Sequence, residues 1–362
     1  MEKFIYDVDE SKMLENITGF HNQIKEALEI AKKVDLPNIS DSINNIVYCG
    51  MGGSAICGDF LKNFLRDKLT VPMEIVRNYS IPHYVNEKTL MILVSYSGNT
   101  EETLTCLRRG IEKKVNLLCI SSGGELEKIY NRIKFDKVQV NKCIKIPAGF
   151  PPRAAFGFVF VPLLYSLFKL GFTSSDYLKD INESINYLKR ATAAYHPDKI
   201  PNKAYDVAQK MYGTIPVIYG TADSTVMIAR RWTTQLSENS KILAYYNAIP
   251  EMNHNEIVGW ENLMDVFKRI SVIFLRDNED SKRITLRQQV TKKLLENGTN
   301  DKPFPAEILE IKSEGISRLT RWLSLIYLGD FVSWYLAIDY KTDPTPVKKI
   351  DILKKSLAES IK

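Results

Sequence analysis

Histidine is scarce in this 362-residue chain: His21, His83, His196 and His254 are all it has. They stand in unrelated contexts with no H-x-x-H pair and no carboxylate cluster, so no metal site is expected. Cysteine is equally thin. Cys49, Cys57, Cys106, Cys119 and Cys143 fall in the first half, odd in number and without C-x-x-C spacing. That set argues against a disulfide framework and suits a reducing cytoplasm. Charge of one sign is lacking too, because 49 Lys+Arg against 43 Asp+Glu leave only +6, evenly scattered. Nucleic acid is therefore not the expected partner. The strongly apolar run from Ala154 to Phe168 is closed by Arg153 and Lys169, short of the ~20 residues a bilayer needs. No membrane span is expected, and the run reads as a buried interdomain helix kinked at Pro162. The first thirty residues carry Glu2, Lys3, Asp7, Asp9 and Glu10 and no apolar core of a secretory signal.

What is present is an α/β plan. The length suits two domains, and the 44% hydrophobic and 25% charged fractions are those of a globular enzyme. Residues 1–40 read as helices with polar faces. Strands are expected near 46–49, 71–76, 89–94, 115–120 and 137–146, with helices near 55–67, 101–113 and 124–133 between them. Such alternation predicts a parallel, helix-flanked, doubly wound sheet. After helices near 174–195 a second unit of the same kind opens at Ile215-Pro216-Val217-Ile218-Tyr219-Gly220, with a helix from about Ser224 through Glu238. Further strands are expected at Ile242–Tyr246, Ser271–Leu275 and Ala306–Ile311, and helices near 281–296, 315–339 and 346–361. The shared strand-glycine-turn-helix plan points to a duplication in which one copy kept a ligand site.

That site is expected in the first copy. The apolar run Met91-Ile92-Leu93-Val94 empties into Ser95-Tyr96-Ser97-Gly98-Asn99-Thr100 and then a helix. The first turn of a helix has unpaired N–H groups and the positive end of the macrodipole, so it can hold a phosphomonoester without a cationic side chain. Ser95, Ser97 and Thr100 add hydroxyls, and Gly98 lets the backbone approach. A similar turn follows Ile46-Val47-Tyr48-Cys49, at Gly50-Met51-Gly52-Gly53-Ser54. It lacks the third glycine of a dinucleotide fingerprint, and no Walker lysine follows it. A monophosphate fits better than a nucleotide.

Three residues could do chemistry. Glu238, at a helix end, faces the negative pole of the macrodipole and suits a general base. Arg153, stiffened by Pro151 and Pro152, could aim a guanidinium at a developing oxyanion. His254 lies in a polar loop and could exchange protons near neutral pH.

Together, Gly52-Gly53-Ser54, the Ser95–Thr103 turn, Pro151-Pro152-Arg153, Glu238-Asn239 and Asn253-His254-Asn255-Glu256 resemble the bifunctional phosphoglucose/phosphomannose isomerases. These are two-SIS-domain enzymes of the phosphoglucose isomerase superfamily. The resemblance covers the chain from about residue 40. It implies a helical segment 1–40, a first SIS domain 41–153, a helical connection 154–200, a second SIS domain 201–340, and a C-terminal helix 341–362 reaching the site. It also implies interconversion of glucose 6-phosphate, mannose 6-phosphate and fructose 6-phosphate without cofactor or metal, through a cis-enediolate. By position, Gly53, Ser54, Ser95, Ser97 and Thr100 match the phosphate site, Glu238 the base, Arg153 the group steadying the enediolate, and His254 a ring-opening residue supplied by the partner in a homodimer. Lys354, with Lys349 as neighbouring alternative, matches a lysine assisting ring opening. Thr345 is the candidate that gives room to the mannose epimer, with Val347 and Thr342 nearby. The competing readings are a single-specificity phosphosugar isomerase and a phosphosugar-binding regulator. A regulator would have no use for Glu238 and His254 together.

Overall fold

The computed structural model describes residues 7–133, 139–173, 177–298 and 307–360. The start of the strand expected over 137–146, the start of the 174–195 helix, Ala306, and the end of the 346–361 helix lie outside these residues. Two short helices come first, α1 (Met13–Thr18) and α2 (Phe20–Lys32), followed by β1 (Asn45–Cys49), α3 (Gly52–Phe64), β2 (Met73–Val76), β3 (Thr89–Val94), α4 (Glu101–Glu112), β4 (Asn116–Ser121), α5 (Gly124–Arg132) and β5 (Asn141–Lys145). The strands form one parallel sheet in the order β2-β1-β3-β4-β5. Every residue of β3 and β4 is buried. Helices cover both faces of such a sheet, which is why these strands read as continuous apolar runs rather than alternating ones.

Two helices follow, α6 (Phe156–Lys169) and α7 (Leu178–Tyr195). The second unit comprises α8 (Lys203–Met211), β6 (Ile215–Thr221), α9 (Val226–Gln235), β7 (Tyr245–Ile249), α10 (Met264–Phe267), β8 (Ile270–Arg276), α11 (Lys282–Asn297), β9 (Glu307–Lys312), α12 (Arg318–Asp339) and α13 (Lys348–Ser360). Its sheet is also parallel, in the order β7-β6-β8-β9. In each sheet the first strand lies between the second and the third. Both therefore reverse direction beside their first strand, the position where ligands settle outside the carboxyl ends in open α/β sheets.

Among the boundaries that differ from expectation, three stand out. The helix expected from Ala55 begins at Gly52, so Gly52, Gly53 and Ser54 form its first turn. The strand expected over Ile242–Tyr246 runs from Tyr245 to Ile249. The helix expected to reach Glu238 is α-helical only to Gln235, and a single π-helical turn carries the chain over Leu236–Ser240. Such turns occur mostly as single-turn bulges in α-helices, frequently at functional sites.

The two units share one core. Leu319 to Ile338 of α12 are buried on every face, and Trp322 of that helix meets Phe60 of α3 edge-on with ring centroids 5.5 Å apart. Phe60 also packs edge-on against Phe156 and Phe160 of α6, at 5.3 and 4.9 Å. Each such aromatic pair adds about 0.5–1.5 kcal/mol beyond area burial. α6 is buried from Phe156 to Leu164, in line with its apolar sequence. Pro162 lies inside it and leaves the Phe158 carbonyl without its usual helical donor.

Candidate active site

The carboxyl ends of β1 and β3 are neighbours in the sheet, with Cys49 paired to Leu93. Each strand ends in a turn that opens a helix, and neither helix is capped by a side chain. The first-turn N–H groups of α3 and α4 are thus both free of the usual cap, side by side, at the edge where an anion would sit.

The serine turn is built on internal hydrogen bonds. Ser95, buried, pairs its hydroxyl with that of Thr100 at 2.9 Å. The Ser97 hydroxyl accepts from the Asn99 N–H at 3.3 Å while its side chain remains exposed. Gly98 has φ of +70°, and a Cβ there would lie 1.8 Å from the Gly123 carbonyl oxygen. No other residue fits. On the neighbouring turn Ser54 is buried, and a Cβ on Gly53 would come within 3.3 Å of the Pro152 oxygen and 3.4 Å of the Arg153 Cα. Gly53 and the Arg153 turn therefore abut directly.

Arg153 lies in a 3-10 turn, Pro152–Ala154, and is 4% exposed. Its guanidinium joins two remote segments, Glu238–Asn239 and Pro344–Thr345. Nε donates to Asn239 Oδ1 at 2.6 Å, Nη1 to Glu238 Oε2 at 3.2 Å, and Nη2 to the carbonyls of Pro344 and Thr345 at 2.7 and 2.9 Å. Burial pulls its pKa below the ordinary arginine range, and the Glu238 charge works against that shift. Behind it, Arg231 donates to the Arg153 carbonyl at 3.1 Å and grips both oxygens of Asp330 at 2.9 Å. Burial raises the Asp330 pKa and Arg231 opposes it. Asn239 is held in turn by Ser333, at 2.9 Å, so the π-helical turn carrying Glu238 is fastened to α12. Thr345 adds a buried hydroxyl that has no protein partner.

These contacts bring Arg153, Glu238 and Thr345 together, with Gly53 and Ser54 alongside. His254 and Lys354 stand apart. His254 ends the 3-10 turn Glu251–His254 and is exposed; among the described residues no hydrogen bond or ion pair joins it to Glu238 or Arg153. Its neighbours are engaged in the loop: Asn253 donates to Thr291 at 2.8 Å, Asn255 to Glu251 at 3.1 Å, and Glu256 accepts from Asn247 at 2.5 Å and from Tyr219. Lys354 and Lys349 are exposed along α13, and it is the turn before that helix, not the helix, that reaches Arg153. Among the described residues no group of three or more His, Cys, Asp and Glu side chains is set to hold a metal ion. No helix of the described residues is long and apolar enough to cross a membrane.

The chain is 42% identical to a bifunctional phosphoglucose/phosphomannose isomerase of Caldicellulosiruptor bescii, over 96% of this chain and 99% of that one. It belongs to the bifunctional phosphoglucose/phosphomannose isomerase family. A relative of the same name in Aquifex aeolicus is 36% identical over 94% of this chain and 97% of its own. Residues 200–357 match the family model described as the bacterial phospho-glucose isomerase C-terminal SIS domain. In fold, the chain resembles the C-terminal domain of a glucosamine-fructose-6-phosphate aminotransferase from Francisella tularensis, with a TM-score of 0.68, 15% identity and coverage of 92% and 98%. Both sheets are thus SIS-type.

Within this isomerase family member, sequence reasoning missed Asn239 as the acceptor for Arg153 and Lys241 as a further cation beside it. Asn239 was in plain view next to Glu238. Lys241 offered a fainter signal, a basic residue closing a helix.

Proposed function

We propose that this protein interconverts glucose 6-phosphate and mannose 6-phosphate with fructose 6-phosphate, by proton transfer through a cis-enediolate. The observation that carries the reading is the 3.2 Å contact of Arg153 with Glu238 beside two uncapped helix N-termini. A proton alpha to a carbonyl is weakly acidic, so its removal needs both a placed base and stabilisation of the enediolate oxygen.

In this reading the substrate phosphate occupies the first turns of α3 and α4, held by N–H groups and by Ser54, Ser95, Ser97 and Thr100 with Gly53 giving backbone access. The sugar then extends toward Arg153. Glu238 carries the proton between C1 and C2. Arg153, whose Nη1 group faces Glu238, holds the enediolate charge. Reprotonation at C2 from either face yields glucose or mannose 6-phosphate, given room to rotate; the half-buried Thr345, with its unpartnered hydroxyl, borders that room.

Ring opening falls to His254 of the partner subunit in a homodimer, a role consistent with an exposed imidazole on a stiffly held loop. Lys354 assists from α13. The domain limits follow the expectation given above, with 41–153 carrying the phosphate and 201–340 the base, and the enzyme works in the cytoplasm. The chemistry calls on no redox cofactor.

An enediolate mimic tests the mechanism. A five-carbon aldonic acid 5-phosphate carries a planar carboxylate where the enediolate forms, and it should bind at least ~100-fold more tightly than fructose 6-phosphate. Equal affinity in a calorimetric titration would contradict the enediolate step.

A further inference from the structure

Lys241 closes the π-helical turn that carries Glu238. Its backbone is left-handed, with φ of 59° and ψ of 29°, a conformation that glycine or asparagine adopts with less strain. What lysine adds is its ammonium. Although the side chain as a whole is exposed, Nζ turns back onto three carbonyls: those of Glu238 at 2.5 Å, Asn239 at 3.4 Å and Pro344 at 3.0 Å. The first two close the base-bearing turn and the third belongs to the segment before α13. Pro344 O also accepts from Arg153, so two cations share one carbonyl. The Thr345 hydroxyl is the next side chain along.

We propose that Lys241 is a positioning residue for the isomerisation: its ammonium ties the Pro344–Thr345 turn to the Glu238–Asn239 turn, and so fixes the space in which the C2 epimers are distinguished. The proposal rests on the isomerase reading above. An exposed ion pair would contribute little, but here one ammonium satisfies three otherwise competing acceptors across a sequence gap of 103 residues. Among the described residues, Arg153 is the other cation that holds these two segments together.

The charged groups around Lys241 are Arg153, Asp343 and Glu238. Partial desolvation and, after it, the Arg153 charge bring its pKa down to about 8, with Asp343 and Glu238 opposing the shift. The ammonium is charged below about pH 8 and the tie is closed. As pH rises through that value the charge is lost and the tie weakens, so activity falls. Stability moves the other way. The unfolded chain holds the lysine proton to higher pH than the fold does, so the lysine's contribution to stability rises from about pH 8 upward. A merely structural role would give only the second trend.

The test compares the full-length protein with Lys241→Met and Lys241→Arg. Kinetics on glucose 6-phosphate and mannose 6-phosphate across pH 6–10 would be measured beside hydrogen exchange of the Asp343–Thr345 amides. Lys241→Met should lower kcat about tenfold or more, on the scale of one lost charge-assisted hydrogen bond. It should also change the mannose-to-glucose activity ratio, abolish the alkaline limb near pH 8, and speed exchange at Asp343–Thr345. Lys241→Arg should restore activity in part and carry the limb to higher pH. Unchanged ratio, limb and exchange in folded Lys241→Met would overturn the proposal, and so would an unmoved limb in Lys241→Arg if the methionine variant fails to fold. Absence of activity in the unsubstituted protein would sink the isomerase reading instead, and the exchange measurement would still decide the tie.

Discussion

Arg153 and Glu238 are 85 residues apart in sequence, yet Nη1 of the first lies 3.2 Å from Oε2 of the second, with Arg153 almost wholly buried and Glu238 reachable from solvent. The arrangement holds the arginine fixed while leaving the carboxylate free to meet a substrate. It also means that either partner can be altered with a distinct consequence.

Removing the base by Glu238→Gln keeps the volume and the contact with Arg153 but cannot take up a proton. Kcat should fall by about 10²–10⁴-fold, while binding of fructose 6-phosphate, followed by calorimetry, stays within a few-fold. Full retained activity would remove Glu238 from the role.

Arg153→Lys should be costly in two ways. A lysine ammonium cannot reproduce the fork that reaches Asn239, Glu238, Pro344 and Thr345. Loss of the oxyanion donor predicts a fall of about 10²–10³-fold in kcat, and the thermal midpoint should drop as buried carbonyls lose their donors. A variant with normal kcat would show that enediolate charge is held elsewhere.

Ser97 is the exposed hydroxyl of the phosphate turn, so Ser97→Ala should act on binding. KM should rise about tenfold, the scale of one hydrogen bond to a charged group, with kcat little changed. Gly98→Ala is different, because its Cβ would overlap the Gly123 carbonyl. That variant should unfold at markedly lower temperature.

The Arg231–Asp330 pair is buried with both carboxylate oxygens engaged. Asp330→Ala would leave an uncompensated arginine in the core, at a cost of about 3–5 kcal/mol. Denaturant titration should reveal it, and a loss below about 1 kcal/mol would mean that water reaches Arg231.

How much of this was readable beforehand follows from what local sequence encodes. β3 and β4 are continuous apolar runs because both their faces are covered, and the Ser95–Thr100 turn stands out because hydroxyls and glycine interrupt such a run. β7 was placed three residues early, since it is an edge strand with Tyr245 and Tyr246 exposed and carries no clear pattern. α8 is missing from the expected elements, which name nothing between the helices near 174–195 and the strand at Ile215, although Asn202 caps it and Ala204, Val207, Ala208 and Met211 line its buried face. Gly52 and Gly53 read as a turn before α3 because glycine disfavours helix interiors, whereas they begin the helix. The Arg153 junction draws on residues 85 to 192 positions away, and no periodicity carries that information. Arg153 and Glu238 were identified one at a time, from a rigid turn and a helix end. Their meeting, and the parts played by Asn239 and Lys241, needed the fold.

Product analysis tests the isomerisation at its outcome. Purified protein, treated with EDTA, would be incubated with fructose 6-phosphate and the sugar phosphates resolved by NMR. The account predicts both glucose 6-phosphate and mannose 6-phosphate. Glucose 6-phosphate alone would contradict dual specificity, and no conversion, or conversion only after a metal is restored, would contradict the enediolate mechanism assigned to Glu238 and Arg153.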